Sequence, residues 1–123
     1  YGHTFGHALE KYTNYQIPHG LGVAHGMTIA NFLSMKFGYL SKKQYIKMNL
    51  EILSKIHKNR SFKNFDNLKY IELLKKDKKN INTHFKFIFT KGPGKMFIKK
   101  INKNNLKLKI ELKKFFHAKN VYN

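Results

Sequence analysis

The stretch from Gly20 to Tyr39 constrains the fold of this 123-residue chain more than any other. Drawn as a helix, it sets Val23, Met27, Ile29, Ala30, Leu33 and Phe37 around most of the circumference. A helix that is apolar nearly all round has no face to offer water and is buried. Gly22, Ala24, Gly26 and Ala30 allow neighbours to pack closely against it. The stretch therefore predicts a central helix wrapped by the rest of the chain. His25 lies inside it and reads as a packed core histidine.

The flanking segments read as shorter elements. Residues 3 to 13 form a helix, and 14 to 18 a loop, because Pro18 disfavours helix at the residue before it. After a break at Gly38, Ser41 suits the N-cap of a helix from Lys42 to His57. Its inward set is Tyr45, Met48 or Leu50, Ile52, Leu53 and Ile56. Residues 58 to 65 are polar and basic, as in a surface crossing. Asp66 can cap a helix from Asn67 to Lys76 with Leu68, Ile71 and Leu74 inward, and Phe65 before it suits a hydrophobic staple. Phe85, Phe87 and Phe89 alternate, which is a strand signal. Gly92-Pro93-Gly94 is a turn, and residues 95 to 101 can return as a second strand. Residues 103 to 119 carry both periods. Leu106, Leu108, Ile110 and Leu112 alternate, while Leu108, Leu112 and Phe115 fit a helix. The fold class is mainly α with a small β-hairpin.

The formal charge is +19, which raises nucleic-acid binding as a function. The details argue against it. Arg60 is the single arginine, the lysines run along the whole chain, and the aromatic residues sit in apolar patterns rather than on a stacking platform. A lysine- and asparagine-rich composition is the simpler account. The chain has no cysteine, which excludes a disulfide framework and cysteine-ligated zinc. No apolar run approaches the ~18 residues of a membrane span, and no signal peptide pattern is present.

Chemistry concentrates at the start. His3 and His7 are four apart, one helical turn, and His19 follows behind Pro18. Imidazole is the commonest side-chain metal ligand, so the three form a candidate metal site. By spacing alone His3 and His7 would be co-ligands. The plain alternative is a pair of histidines satisfied by backbone carbonyls. Gly2 and Gly6 each precede a histidine and cost helix stability, which suggests that something approaches the backbone closely there. Lys75 to Lys79 form a basic cluster around Asp77, either a solvated helix end or an anion contact.

The stretch Gly2-His3-Thr4-Phe5-Gly6-His7-Ala8-Leu9-Glu10, a short spacer, Pro18-His19-Gly20 and an apolar helix resemble the C-terminal metal-binding domain of the 3-dehydroquinate synthase family. Related sugar-phosphate cyclases such as 2-deoxy-scyllo-inosose synthase share the pattern. A second block, Asp77-Lys78-Lys79-Asn80 with Phe85 to Phe89 and Gly94-Lys95, is similar to a later segment of the family, so the resemblance spans about residues 1 to 101. The family ends in a helix, which selects the helical reading of 103 to 119.

The resemblance implies that His3 and His19 are two ligands of a divalent metal, zinc or cobalt. It makes His7 an active-site histidine near the substrate phosphate, and Lys78 or Lys79 a substrate contact. The third metal ligand would be a glutamate from a preceding NAD-binding domain, the partner this chain implies. The substrate would be a sugar phosphate, converted with phosphate loss in the shikimate pathway of aromatic amino acid biosynthesis, in the cytoplasm. A homodimer stays open. Because the chain opens inside the motif, residues 1 to 123 are expected to be the C-terminal metal- and substrate-binding helical domain of a longer enzyme. There is one departure. The family's His-Gly-Glu is here His19-Gly20-Leu21, which leaves the ligands in place and opens the choice of substrate to other cyclases.

Overall fold

A computed structural model of the chain describes residues 1–50, 65–77 and 83–117. Among them the order is α1 (His3–Tyr12), α2 (His19–Lys36), α3 (Lys42–Met48), α4 (Asn67–Lys75), β1 (His84–Thr90), β2 (Met96–Asn102) and α5 (Leu106–His117). The chain is mainly helical with one antiparallel hairpin, as its patterning requires.

α1 and α2 cross at bare backbone. A Cβ built on Gly6 would meet the carbonyl of Gly22, whose carbon lies 2.8 Å away. A Cβ on Gly26 would meet the carbonyl oxygen of Gly2 and lie 2.6 Å from the Gly6 nitrogen. The glycines before His3 and His7 thus face the glycines of α2, and the close neighbour they call for is the central helix itself. α2 buries Ala24, His25, Thr28, Ile29, Ala30, Asn31, Leu33 and Ser34, on nearly every side.

Both helices stop by the same device. Beyond α2, Gly38 adopts φ 86°, Gly38 N–H donates to Met35 O, and Tyr39 N–H donates to Ser34 O. Beyond α1, Asn14 takes the left-handed position, with Asn14 N–H on Lys11 O and Tyr15 N–H on Glu10 O. These paired bonds satisfy carbonyls that the helix leaves open. α2 therefore ends at Lys36, earlier than its apolar pattern, and begins one residue early, with Pro18 as N-cap.

Side-chain caps start the other helices. Ser41 Oγ accepts from Gln44 N–H and Asp66 from Lys69 N–H. Asn105 accepts from Leu108 N–H, a cap the pattern alone does not announce. Phe65 packs on Tyr70 at 5.6 Å between ring centroids, the expected staple. In α4 the inward residues are Tyr70, Ile71 and Leu74, and Leu68 is 73% exposed. The expectation for Leu68 fails because Tyr70 centres the buried stripe, and Leu68 falls two residues and thus about 200° before it. In α3, Tyr45 and Met48 are buried while Leu50 beyond it is exposed. The expected continuation to His57, with Ile52, Leu53 and Ile56, and the crossing at 58 to 64 lie outside the described residues.

Phe85, Phe87 and Phe89 are fully buried against the helices, Phe87 at 4.5 Å from Phe5. The hairpin is tied to α2 by one hydroxyl: Ser34 Oγ donates to Ala30 O and accepts from Thr90 N–H. α5 closes the other side, with Phe116 stacked on Phe65 at 3.8 Å and Phe115 edge-on to Phe32. Tyr70, buried in this cluster, donates its hydroxyl to Phe5 O, fastening α4 to α1. Ion pairs add little. Glu72 with Lys75 and Glu111 with Lys114 are single-turn pairs at 3.3 and 3.6 Å.

Candidate functional site

The glycine crossing decides where the histidines stand. With Gly2 and Gly6 turned into α2, His3 and His7 fall on the exposed side of α1. Pro18 sets φ −57° and ψ 148° as N-cap, so His19 is the first residue of α2, beside the end of the crossing. The imidazoles of His3 and His19 lie 5.9 Å apart between centroids, tilted by 55°. His7 shares their cleft, a cavity of about 420 Å³. Lys11, one turn after His7, and Lys76, at the end of α4, also line it, and Thr4 and Asp77 complete the lining.

Two imidazoles bound to one zinc at about 2.0 to 2.1 Å hold their centroids roughly 5–6 Å apart. His3 and His19 meet that spacing. The chemistry of the donors also fits in part: imidazole is an ordinary zinc ligand, and a catalytic zinc takes three protein ligands and an open position. Among the described residues no group of three or more histidine, aspartate and glutamate side chains gathers to hold an ion, so these residues offer a pair.

A carboxylate stands behind the pair. Glu10 Oε1 lies 2.7 Å from His19 Nδ1. Glu10 is 4% exposed, whereas the His19 side chain is 66% exposed. His25 is buried in α2 and is not among the residues lining the cleft. Leu21 is half-buried and packs against the main core. Lys78 and Lys79 lie outside the described residues, directly after Asp77 at the cleft edge.

Sequence reasoning singled out His3, His7 and His19, and all three line this one cleft. It missed Lys11, for which the helical period was a sufficient signal: His3, His7 and Lys11 repeat every four residues. It gave Glu10 no role.

A polar chain lies under the far end of α2. The Tyr1 hydroxyl donates to Asn31 Oδ1, Asn31 donates to Asn49 Oδ1 at 3.5 Å, and Tyr45 bonds Asn49. Burial raises the Tyr1 hydroxyl above its ordinary value, against an opposing bond from Asn31. Burial pushes Tyr45 up to about 12, with Asn49 opposing. No helix among the described residues is long and apolar enough to cross a membrane.

The family model of the 3-dehydroquinate synthase C-terminal domain matches residues 1–80. A 3-dehydroquinate synthase of Helicobacter pylori is 43% identical over 95 residues, covering 76% of this chain and 27% of that protein. The Campylobacter hominis 3-dehydroquinate synthase is 37% identical over 99 residues, 80% of this chain and 28% of that protein. That of Campylobacter curvus is 36% identical over 111 residues, 89% and 32% respectively. The chain thus spans about a third or less of the length of these relatives.

Proposed function

This chain belongs to the 3-dehydroquinate synthase family, and on that premise we propose that it forms the metal- and substrate-binding part of an enzyme converting a seven-carbon keto acid phosphate to 3-dehydroquinate with loss of phosphate. The observation that carries the reading is the meeting of His3 and His19, from two different helices, in one cleft with His7 and two lysines.

In this reading His3 and His19 are two ligands of a divalent ion, and a carboxylate from the part of the relatives not spanned here is the third. Such an ion, zinc or cobalt, would polarise a substrate oxygen, and NAD held mainly by that other part would carry the redox chemistry. The remaining work falls to this chain's own side chains. His7 donates an N–H to a phosphate oxygen, and Lys11 and Lys76 supply cations that hold the phosphate and stabilise it as it departs. Lys78 or Lys79, next along from Asp77, adds a further contact. The metal end and the phosphate end are then set by His3 and His7, one turn apart on one rigid helix, so the substrate is oriented between them.

Leu21 supports a second reading within the same chemistry. Where the family has a glutamate after His-Gly, this chain has an apolar residue packed on the core, which favours another sugar phosphate as substrate of a related cyclase.

The test is phosphate release. The 123-residue chain with NAD, zinc and the keto acid phosphate should show no turnover alone, and turnover should appear when the NAD-binding portion is supplied. His3→Ala and His19→Ala should each abolish it. Reconstituted activity that survives both substitutions removes the reading. Activity on a different sugar phosphate, lost with the same histidines, selects the second one.

A further inference from the structure

We propose that Glu10 is the positioning residue of the histidine pair: its buried carboxylate accepts the Nδ1–H of His19 and leaves Nε2 as the nitrogen that meets an ion shared with His3. The inference rests on the metal reading above and assigns a role within it to a residue that touches neither ion nor substrate.

The geometry is specific. Gly2, Gly6 and Glu10 succeed one another every four residues, so they form one stripe on the face of α1 that meets α2. At the first two positions the helices touch backbone to backbone. At the third a carboxylate occupies the gap. A Cβ built on Gly22 would lie 2.9 Å from Glu10 Cγ and 2.9 Å from Oε1, so Gly22 leaves vacant the volume that the Glu10 side chain fills. The helix pair is therefore shaped around this carboxylate.

Its burial needs an explanation. A carboxylate removed from water is costly unless it is well bonded, and a pair with an exposed partner contributes little to stability. Glu10 is 4% exposed and its bond at 2.7 Å goes to a ring that is itself two-thirds exposed. Orientation of that ring accounts for the arrangement. A neutral imidazole carries its proton on one nitrogen only, and the partner of that nitrogen decides which one is free to ligate. With Nδ1 held by Glu10, the lone pair is on Nε2.

The test compares zinc affinity and His19 tautomer in the 123-residue chain and its Glu10→Gln and Glu10→Ala variants. Affinity is read by competition with a chromophoric chelator. The tautomer is read in the metal-free chain from long-range proton–nitrogen couplings. In the parent, His19 should carry its proton on Nδ1. Glu10→Ala should lower zinc affinity by about 10–100-fold. Glu10→Gln should lose less, since its amide oxygen can still accept, but should show mixed tautomers, since its NH2 can also donate. Thermal melts accompany both, and if Glu10→Ala does not fold, the near-isosteric Glu10→Gln and the parent tautomer decide. A His19 protonated on Nε2 in the parent overturns the proposal. So does zinc affinity that falls with His19→Ala yet matches the parent in the folded Glu10 variants. Zinc affinity unmoved by His19→Ala would instead remove the metal reading itself, and the role of Glu10 with it.

Discussion

Gly26→Ala adds a single methyl group at the tightest point of the fold. Its Cβ would lie 2.6 Å from the Gly6 nitrogen and closer still to the Gly2 carbonyl oxygen. Both are backbone atoms, of α1 and of its N-cap residue, so no rotamer change relieves them. Ordinary contact for a carbon is about 3.5–4.0 Å, so the helices must part by on the order of 1 Å. Overpacking of this kind costs about 1–3 kcal/mol and occasionally more, and rigid backbone on the far side argues for the upper end. Alanine in a helix interior returns about 1 kcal/mol relative to glycine. The net expectation is a loss of about 2 kcal/mol, or roughly 5–10 °C in Tm. Thermal and denaturant unfolding followed by circular dichroism measures it. Gly20→Ala is the control, since its Cβ meets nothing within 4 Å; it should be neutral or stabilising by up to about 1 kcal/mol. Because His3 and His19 ride on the two helices that separate, Gly26→Ala should also weaken zinc binding. A Gly26→Ala chain that melts at or above the parent would refute the crossing as described.

Gly22→Ala tests the same interface differently: the three atoms nearest its Cβ all belong to the Glu10 side chain, so zinc affinity should fall while the melting temperature holds or rises, and loss of stability without loss of affinity would contradict this. Ser34→Ala leaves the buried N–H of Thr90 without its acceptor and should cost about 1–3 kcal/mol; a denaturation midpoint equal to the parent's would show that the hydroxyl does not anchor the hairpin. Burial pushes Tyr45 up to about 12 and Tyr70 well above the ordinary 10.0. A hydroxyl raised in the folded state stabilises fully below its unfolded value, and that contribution is lost as pH rises through the folded one. Stability should therefore decline between about pH 10 and 12, by roughly 2–3 kcal/mol for Tyr45. Urea midpoints across that window read it directly, and a flat profile would count against the burial of these rings.

Much of this was legible in the residues. Alternating phenylalanines have one sheet-like solution, and Phe85, Phe87 and Phe89 took it. Ser41 and Asp66 announce caps because short oxygen side chains before an apolar run bond the free N–H groups of a first turn. The histidines on α1 were legible as a shared face. What periodicity cannot give is the path between helices. Asn14 and Tyr15 stand consecutively at positive φ, 52° and 61°. No pattern predicts that pair, yet it turns the loop that returns His19 to Glu10 and His3. The burial of Glu10 was hidden for the same reason, since a lone glutamate in a helix reads as solvent-facing until the crossing helix is in place. Leu68 misled in the opposite sense, because apolar character alone does not say whether leucine or tyrosine centres a stripe.

The carboxylates are few, and their placement says how this chain behaves in solution. Of six acidic residues, Glu10 is enclosed beside His19, Asp66 closes the start of α4, Asp77 edges the cleft, Glu111 is 7% exposed beside Lys114, and Glu72 lies one turn from Lys75. Each of these five already has local work to do, so little anionic surface is left to offset a formal charge of +19. The exterior is close to a pure cation, and its lysines repel one another through water. Salt screens such repulsion over about 10 Å at 0.1 M, so ionic strength, usually an enemy of surface ion pairs, acts here as a structural ingredient: it favours the compact state.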